Sequence, residues 1–62
     1  MTKRVYWFAF TPAGTLVLET GALTEAQCIE NLLRLAAYMP YKTWENFEKR
    51  GYQVMQAPGV SP

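Results

Sequence analysis

Histidine and aspartate are both missing from this chain of 62 residues, and cysteine occurs once, as Cys28. A disulfide within the chain is therefore impossible. Zinc and iron sites are built mainly from histidine, cysteine and carboxylate ligands, and here one thiol and five glutamates would have to supply them all. We expect neither a metal site nor a cofactor.

The same absences remove most catalytic chemistry. The usual general bases reduce to glutamates, and Cys28 has no histidine that could activate it as a nucleophile. A redox role for Cys28 remains as the alternative to simple packing, because it lies in the first turn of a predicted helix, where the dipole can lower a thiol pKa. No glycine-rich phosphate loop exists. We expect a protein that is not an enzyme and has no small-molecule substrate.

Long hydrophobic runs are lacking as well. The apolar stretch 5–10 ends at Thr11 and Pro12. This stretch is shorter than the hydrophobic region of a signal peptide. It is also far shorter than the roughly 20 residues that cross a membrane. A lone cysteine fits a reducing compartment. These features predict a cytoplasmic protein without a membrane partner.

A β-hairpin is predicted over residues 6–19, YWFAFTPAGTLVLE. Pro12 presets its φ angle and Gly14 can adopt a positive φ, as in a type I turn followed by a glycine bulge. The flanking residues are aromatic, aliphatic or β-branched, which favours strands. The register that follows is Phe10 opposite Leu16, Phe8 opposite Leu18, Tyr6 opposite Thr20, Ala9 opposite Val17 and Trp7 opposite Glu19.

Both faces of the first strand are apolar, so one of them exceeds what the core needs. The face of Tyr6, Phe8 and Phe10 is almost continuous hydrocarbon, and we predict that it is the core face. The opposite face is then an open patch with the tryptophan and methionine character of interface cores. The predicted protein-interface residues are Val5, Trp7, Val17 and Met55.

Two helices follow the hairpin. Thr24 is the predicted N-cap of the first, with Gln27 as the return half of a capping box. This helix is expected to end near Met39, because Pro40 disfavours helical geometry at the residue before it. Its predicted core stripe is Ala26, Ile29, Leu32, Leu33 and Ala36.

A second, shorter helix is predicted from Trp44 to Arg50, with Thr43 as N-cap and Gly51 as the left-handed residue after its end. Residues 52–56 alternate in polarity as a third strand does, and Tyr52 and Val54 are expected to join the core. The chain therefore predicts a ββααβ order: a three-stranded antiparallel sheet with two helices packed on one face. The first strand is central, in a single α+β domain over residues 1–56 with a flexible tail over 57–62.

A chain this small points to a partner. A core of about 60 residues rarely supplies more than about 3–5 kcal/mol without a disulfide, a metal or another chain. With the first two excluded, oligomerisation remains. We predict a homodimer, a protein target, or both, through the open sheet face.

Nucleic-acid binding is the alternative. Aromatic and basic residues interleave over residues 41–52, as they do in proteins that bind single strands. A formal net charge of only +1 argues against it, because nucleic-acid domains carry a stronger basic footprint. The candidate contacts are Tyr41, Lys42, Trp44, Lys49 and Arg50.

In length and layout, residues 6–54 (YWFAFTPAGTLVLETGALTEAQCIENLLRLAAYMPYKTWENFEKRGYQV) resemble the very small accessory proteins encoded by bacteriophages. Proteins of that group often cap or occlude a host enzyme or defence complex without catalysis. The resemblance implies an inhibitor or modulator that works through surface contacts in the host cytoplasm. It assigns no individual residue to this role.

Overall fold

Three strands and two helices make up the fold. The computed structural model describes residues 4–37, 39 and 43–61. The elements are β1 (Trp7–Phe10), β2 (Leu16–Ala22), α1 (Glu25–Leu35), α2 (Trp44–Lys49) and β3 (Gln53–Gln56). The sheet order is β2-β1-β3, and β1 is antiparallel to both neighbours. The predicted ββααβ order, the antiparallel sheet and the central first strand are confirmed.

The hairpin turn has the predicted chemistry. Gly14 has a φ of 87° and its N–H donates to the Thr11 carbonyl at 2.8 Å. The Thr11 N–H in turn donates to the Thr15 carbonyl at 2.9 Å. A glycine can adopt this left-handed conformation without a Cβ clash, so the turn is determined by local sequence.

The predicted hairpin register is correct only near the turn. Phe10 lies opposite Leu16 and Ala9 lies opposite Val17, as predicted, but Trp7 lies opposite Ala22 instead of Glu19. The extra residues of β2 form a bulge between these points. The Trp7–Glu19 prediction is wrong because a register calculated from the turn cannot anticipate a bulge, and the Phe8–Leu18 and Tyr6–Thr20 pairs stay predictions.

The prediction of the core face is also wrong. The buried cluster consists of Ala9, Ala22, Cys28, Leu32, Ala36 and Phe47. Trp7 packs against it. The helices therefore cover the face of Trp7 and Ala9, and strand alternation places Phe8 and Phe10 on the other face. Phe8 is fully buried but is not part of that cluster.

Helix α1 begins as predicted and ends earlier. The Thr24 hydroxyl accepts a hydrogen bond from the Gln27 N–H at 3.1 Å, which confirms the N-cap. The Gln27 side chain makes its hydrogen bond along the helix, where its Nε2 donates to the Asn31 Oδ1 at 3.0 Å, and no bond from the Thr24 N–H to Gln27 is present to complete the capping box. The helix ends at Leu35, four residues before the predicted end at Met39.

The inward face of α1 is rotated relative to the predicted stripe. Cys28, Leu32 and Ala36 are buried, whereas Ala26 is exposed. Ile29 and Leu33 lie at the border and are half-buried. The three buried positions are spaced four residues apart, so they form one line along the helix that faces the sheet.

Helix α2 is short, and two of its aromatic residues, Trp44 and Phe47, pack toward the core. Thr43 caps it by accepting from the Asn46 N–H at 3.3 Å. Phe47 belongs to the buried cluster, and its ring packs edge-to-face on Tyr52 with centroids 5.0 Å apart. Gly51 follows with a φ of 101°, as predicted for the residue after the helix.

The chain ends in a turn. The Ala57 N–H donates to the Tyr6 carbonyl at 3.0 Å, and the Val60 N–H donates to the Ala57 carbonyl at 3.2 Å. Gly59 has a φ of 84°, the angle that a type II turn requires after proline. The flexibility predicted for residues 57–62 stays a prediction.

Candidate interaction surfaces

The face of the sheet away from the core cluster is apolar, and we call it the open sheet face. It consists of Phe8, Phe10, Leu16 and Met55, together with Leu18, which strand alternation places on the side opposite its neighbour Val17. Register places Met55 opposite Phe8 and Leu16 opposite Phe10. Leu18 and Met55 are 48% and 43% exposed, and Phe10 and Leu16 are half-buried. Exposed apolar side chains grouped around a buried phenylalanine are typical of a contact surface.

The predicted interface residues do not share one surface. Trp7 packs against the core, and Val17 lies on the same side of the sheet because it is paired with Ala9. Met55 lies on the opposite side, and Val5 is half-buried before β1 begins. Of the four, Met55 alone belongs to the open sheet face.

A groove of about 500 Å³ lies beside β3, and we call it the edge groove. Its walls come from α1, α2 and β3, and include Glu25, Ile29, Trp44, Glu48 and Val54. Two glutamates and a tryptophan therefore line the same opening. The sequence analysis did not find this site, because no local pattern indicates that the first turn of α1 lies near α2.

The candidate nucleic-acid contacts are only partly described. Tyr41 and Lys42 lie outside the described residues. Trp44 packs against the core, so its ring is only partly available for stacking on a base. The Lys49 ammonium lies 3.3 Å from the Glu45 carboxylate, and Arg50 is the C-cap of α2.

Cys28 is buried, and its surroundings keep the thiol neutral. Burial raises the pKa of the Cys28 thiol above its usual 9.0, and the nearby Glu25 carboxylate acts in the same direction. A hydrogen bond with Thr20 lowers the pKa by less. A buried, protonated thiol is a poor nucleophile. This geometry supports the packing role over the redox alternative.

Two polar residues that the sequence analysis did not single out join β2 to the rest of the fold. The Thr20 hydroxyl accepts from the Ala9 N–H at 2.8 Å and donates to the Val17 carbonyl at 2.7 Å. The Asn31 amide donates to the Thr20 and Gly21 carbonyls at 3.3 and 3.4 Å. No local pattern distinguishes Thr20, because its neighbour Glu19 is polar as well.

Within the described part of the chain, no group of three or more histidine, cysteine, aspartate or glutamate side chains could hold a metal ion. No helix there has the length and apolar character needed to cross a bilayer.

Comparison of the chain with protein-family models, with curated proteins and with solved structures gives no match. The shape and chemistry of its own surfaces are therefore the basis on which a function can be assigned.

Proposed function

We propose that this protein is a non-enzymatic protein-interaction module that docks through the open sheet face. The proposal is supported by the exposure of Leu18 and Met55, each nearly half exposed, and by the pairing of Met55 with Phe8 on the face opposite the helices. Leu23 and Leu35 are similarly exposed but lie outside the sheet, and single exposed leucines are ordinary.

The simplest occupant of this face is a second copy of the chain. Small domains are marginally stable when they lack a disulfide or a metal, and a partner chain adds the missing burial. Cys28 is free and buried, so it cannot supply a staple. Pairing two open sheet faces would cover the leucine and methionine side chains of both copies.

The first experiment measures mass in solution by sedimentation equilibrium for the wild type and for Leu18→Lys and Met55→Lys. We expect a dimeric wild type and monomeric variants, because burying an unpaired ammonium in an apolar interface is costly. Circular dichroism should show the same folded signal for all of them.

Leu35→Lys is the matched control. Leu35 is 47% exposed, close to the value for Leu18, but it lies on α1 away from the open sheet face. This variant should stay dimeric. A wild type that is monomeric at millimolar concentration, or a Leu35→Lys variant that dissociates as readily as Leu18→Lys, would contradict self-association through this face.

The resemblance to small bacteriophage proteins supports a finer proposal, that the chain inhibits or modulates a host enzyme or defence complex in the host cytoplasm. The open sheet face would then contact that target. Nucleic-acid binding through residues 41–52 stays a prediction. It gains no support from Trp44, which packs inward, or from Lys49, which already pairs with Glu45.

A further inference from the structure

We propose that the outer edge of β3 and the edge groove form a docking site for an extended, lysine- or arginine-bearing segment of another protein. The segment adds a fourth strand to the sheet and places a cationic side chain in the groove. This site differs from the open sheet face in both its residues and the chemistry of its partner.

The backbone of β3 is available for pairing on its outer side. The Ala57 N–H donates to the Tyr6 carbonyl, so residues 57 and 6 form a hydrogen-bonded pair. Bonded and non-bonded pairs alternate along an antiparallel ladder, which directs the N–H and C=O groups of Met55 toward β1. Those of Val54 and Gln56 point away from it. No strand in the described part of the chain covers that side.

An open edge of this kind binds extended peptides. Its outward N–H and C=O groups supply main-chain hydrogen bonds to a peptide of any sequence, and the pockets beside the edge select side chains. β3 contains four residues and therefore offers outward groups at two positions, Val54 and Gln56. A segment of about four to six residues matches that length.

The edge groove specifies a positive charge. Glu25 and Glu48 line it, and neither forms an ion pair with another described residue. By contrast, Glu30 lies 3.5 Å from Arg34 and Glu45 lies 3.3 Å from Lys49 on other parts of the surface.

Trp44 also lines the groove, with the part of its side chain that does not pack against the core. The methylene groups of a lysine or arginine side chain can pack on that apolar surface while the charged end lies near the glutamates. Alternate side chains of an added strand point to the same side, so one cationic residue would lie toward the carboxylates and this ring.

The negative charges of Glu25 and Glu48 also disfavour two other ligands of the edge groove, a second copy of the chain and a nucleic acid. Two copies paired through β3 would be related by a two-fold axis perpendicular to the sheet, which brings both edge grooves to the same face. Four carboxylates would then lie close together, and like charges repel. Nucleic acid would place its phosphates beside Glu25 and Glu48, which is equally unfavourable.

The test uses a synthetic hexapeptide of alternating valine and lysine, with blocked ends, titrated into ¹⁵N-labelled protein at low salt. The matched probe is the hexapeptide of alternating valine and glutamate. We expect saturable shifts of the β3 amide signals with the lysine peptide and none with the glutamate peptide.

Two variants and one control define the site. Glu25→Gln combined with Glu48→Gln should weaken binding roughly tenfold, about threefold for each charge. Glu30→Gln combined with Glu45→Gln removes the same charge elsewhere and should leave the affinity within about twofold. Val54→Pro removes an outward N–H that bonds to nothing in the described part of the chain, and should weaken binding roughly tenfold.

Several results would overturn the proposal. The glutamate peptide could bind as tightly as the lysine peptide, or the affinity for the lysine peptide could be unchanged after loss of Glu25 and Glu48. The β3 amide signals could also fail to shift at millimolar lysine peptide. If the wild type self-associated and Val54→Pro abolished that association, the outer edge of β3 would bind a second copy of the chain instead. Leu18→Lys separates the two surfaces, because it should disrupt the open sheet face and leave peptide binding intact.

Discussion

The Thr20 hydroxyl bridges the two hairpin strands at the point where the backbone hydrogen bonds between them are interrupted. Since Thr11 bonds to Thr15, the next bonded pair in a regular ladder would be Ala9 and Val17. In this structure the Thr20 hydroxyl stands between them, accepting from the Ala9 N–H and donating to the Val17 carbonyl. The residue is fully buried, so water cannot replace the hydroxyl.

Thr20→Val should lower the free energy of unfolding by about 2 kcal/mol, because it leaves a buried N–H and a carbonyl without their partner. Thr20→Ser keeps the hydroxyl and removes one methyl group, so it should cost only about 1 kcal/mol. Urea unfolding followed by circular dichroism measures both. If the valine variant were as stable as the serine variant, the hydroxyl bridge would contribute nothing.

At the scale of elements, the end of α2 rests against the hairpin turn. A Cβ placed on Gly51 would lie 3.2 Å from the Cβ of Pro12. Gly14 has a similar positive φ, but a Cβ there would meet nothing within 4 Å. The two glycines therefore separate the cost of the backbone angle from the cost of a close approach.

Gly14→Ala should destabilise the fold by about 1 kcal/mol, the cost of a left-handed alanine. Gly51→Ala should cost about 1 kcal/mol more, because its methyl group also pushes the turn and α2 apart. Thermal unfolding of the two variants, compared with the wild type, gives the difference. Equal losses would show that the contact between Gly51 and Pro12 yields without cost.

At the scale of the whole molecule, the core is a small cluster of side chains that come from both the sheet and the helices. Residues of β1, β2, α1 and α2 meet in one cluster, and Phe47 is the member that α2 contributes. A helix of six residues is not stable in water by itself. The position of α2, and with it one wall of the edge groove, therefore depends mainly on the burial of Phe47, with Trp44 packed against the same cluster.

Phe47→Ala should cost roughly 3–5 kcal/mol, which is comparable to the whole stability of a domain this small. We expect a chain that is largely unfolded at 25 °C by circular dichroism. Phe47→Leu keeps most of the volume and should unfold cooperatively at a lower temperature than the wild type. A folded alanine variant with a near-normal melting temperature would mean that α2 is held by other contacts.

Local chemistry accounts for what could be predicted. The turn at Gly14 and the caps at Thr24 and Thr43 each depend on residues within a few positions of one another, and all three form as predicted. The end of α1 was misplaced because the chain leaves the helix through short-range bonds, such as Met39 N–H to the Ala36 carbonyl, before Pro40 is reached. The restriction imposed by proline marked only the last residue at which the helix could end.

The candidate site was harder to predict, because it depends on which face of β1 is covered. Trp7 and Phe8 point to opposite sides and both are apolar, so polarity alone does not distinguish the faces. The sequence therefore predicts the open patch on the Trp7 face, whereas the face that the helices leave uncovered is that of Phe8 and Met55. The edge groove was not predicted at all, since Glu25 and Glu48 are distant in sequence.

By itself, the amino-acid sequence determined the order of the elements, the turn, the helix starts and the absence of histidine and aspartate. The tertiary structure decided where the bulge near Thr20 lies and which face of the sheet the helices cover. It also brought α1 beside the edge of β3, where both line the edge groove. The reason is that two apolar faces are equivalent until a helix packs on one of them. Ala9, Ala22, Cys28 and Ala36 are small enough to let α1 approach, whereas the opposite face carries Phe8 and Phe10.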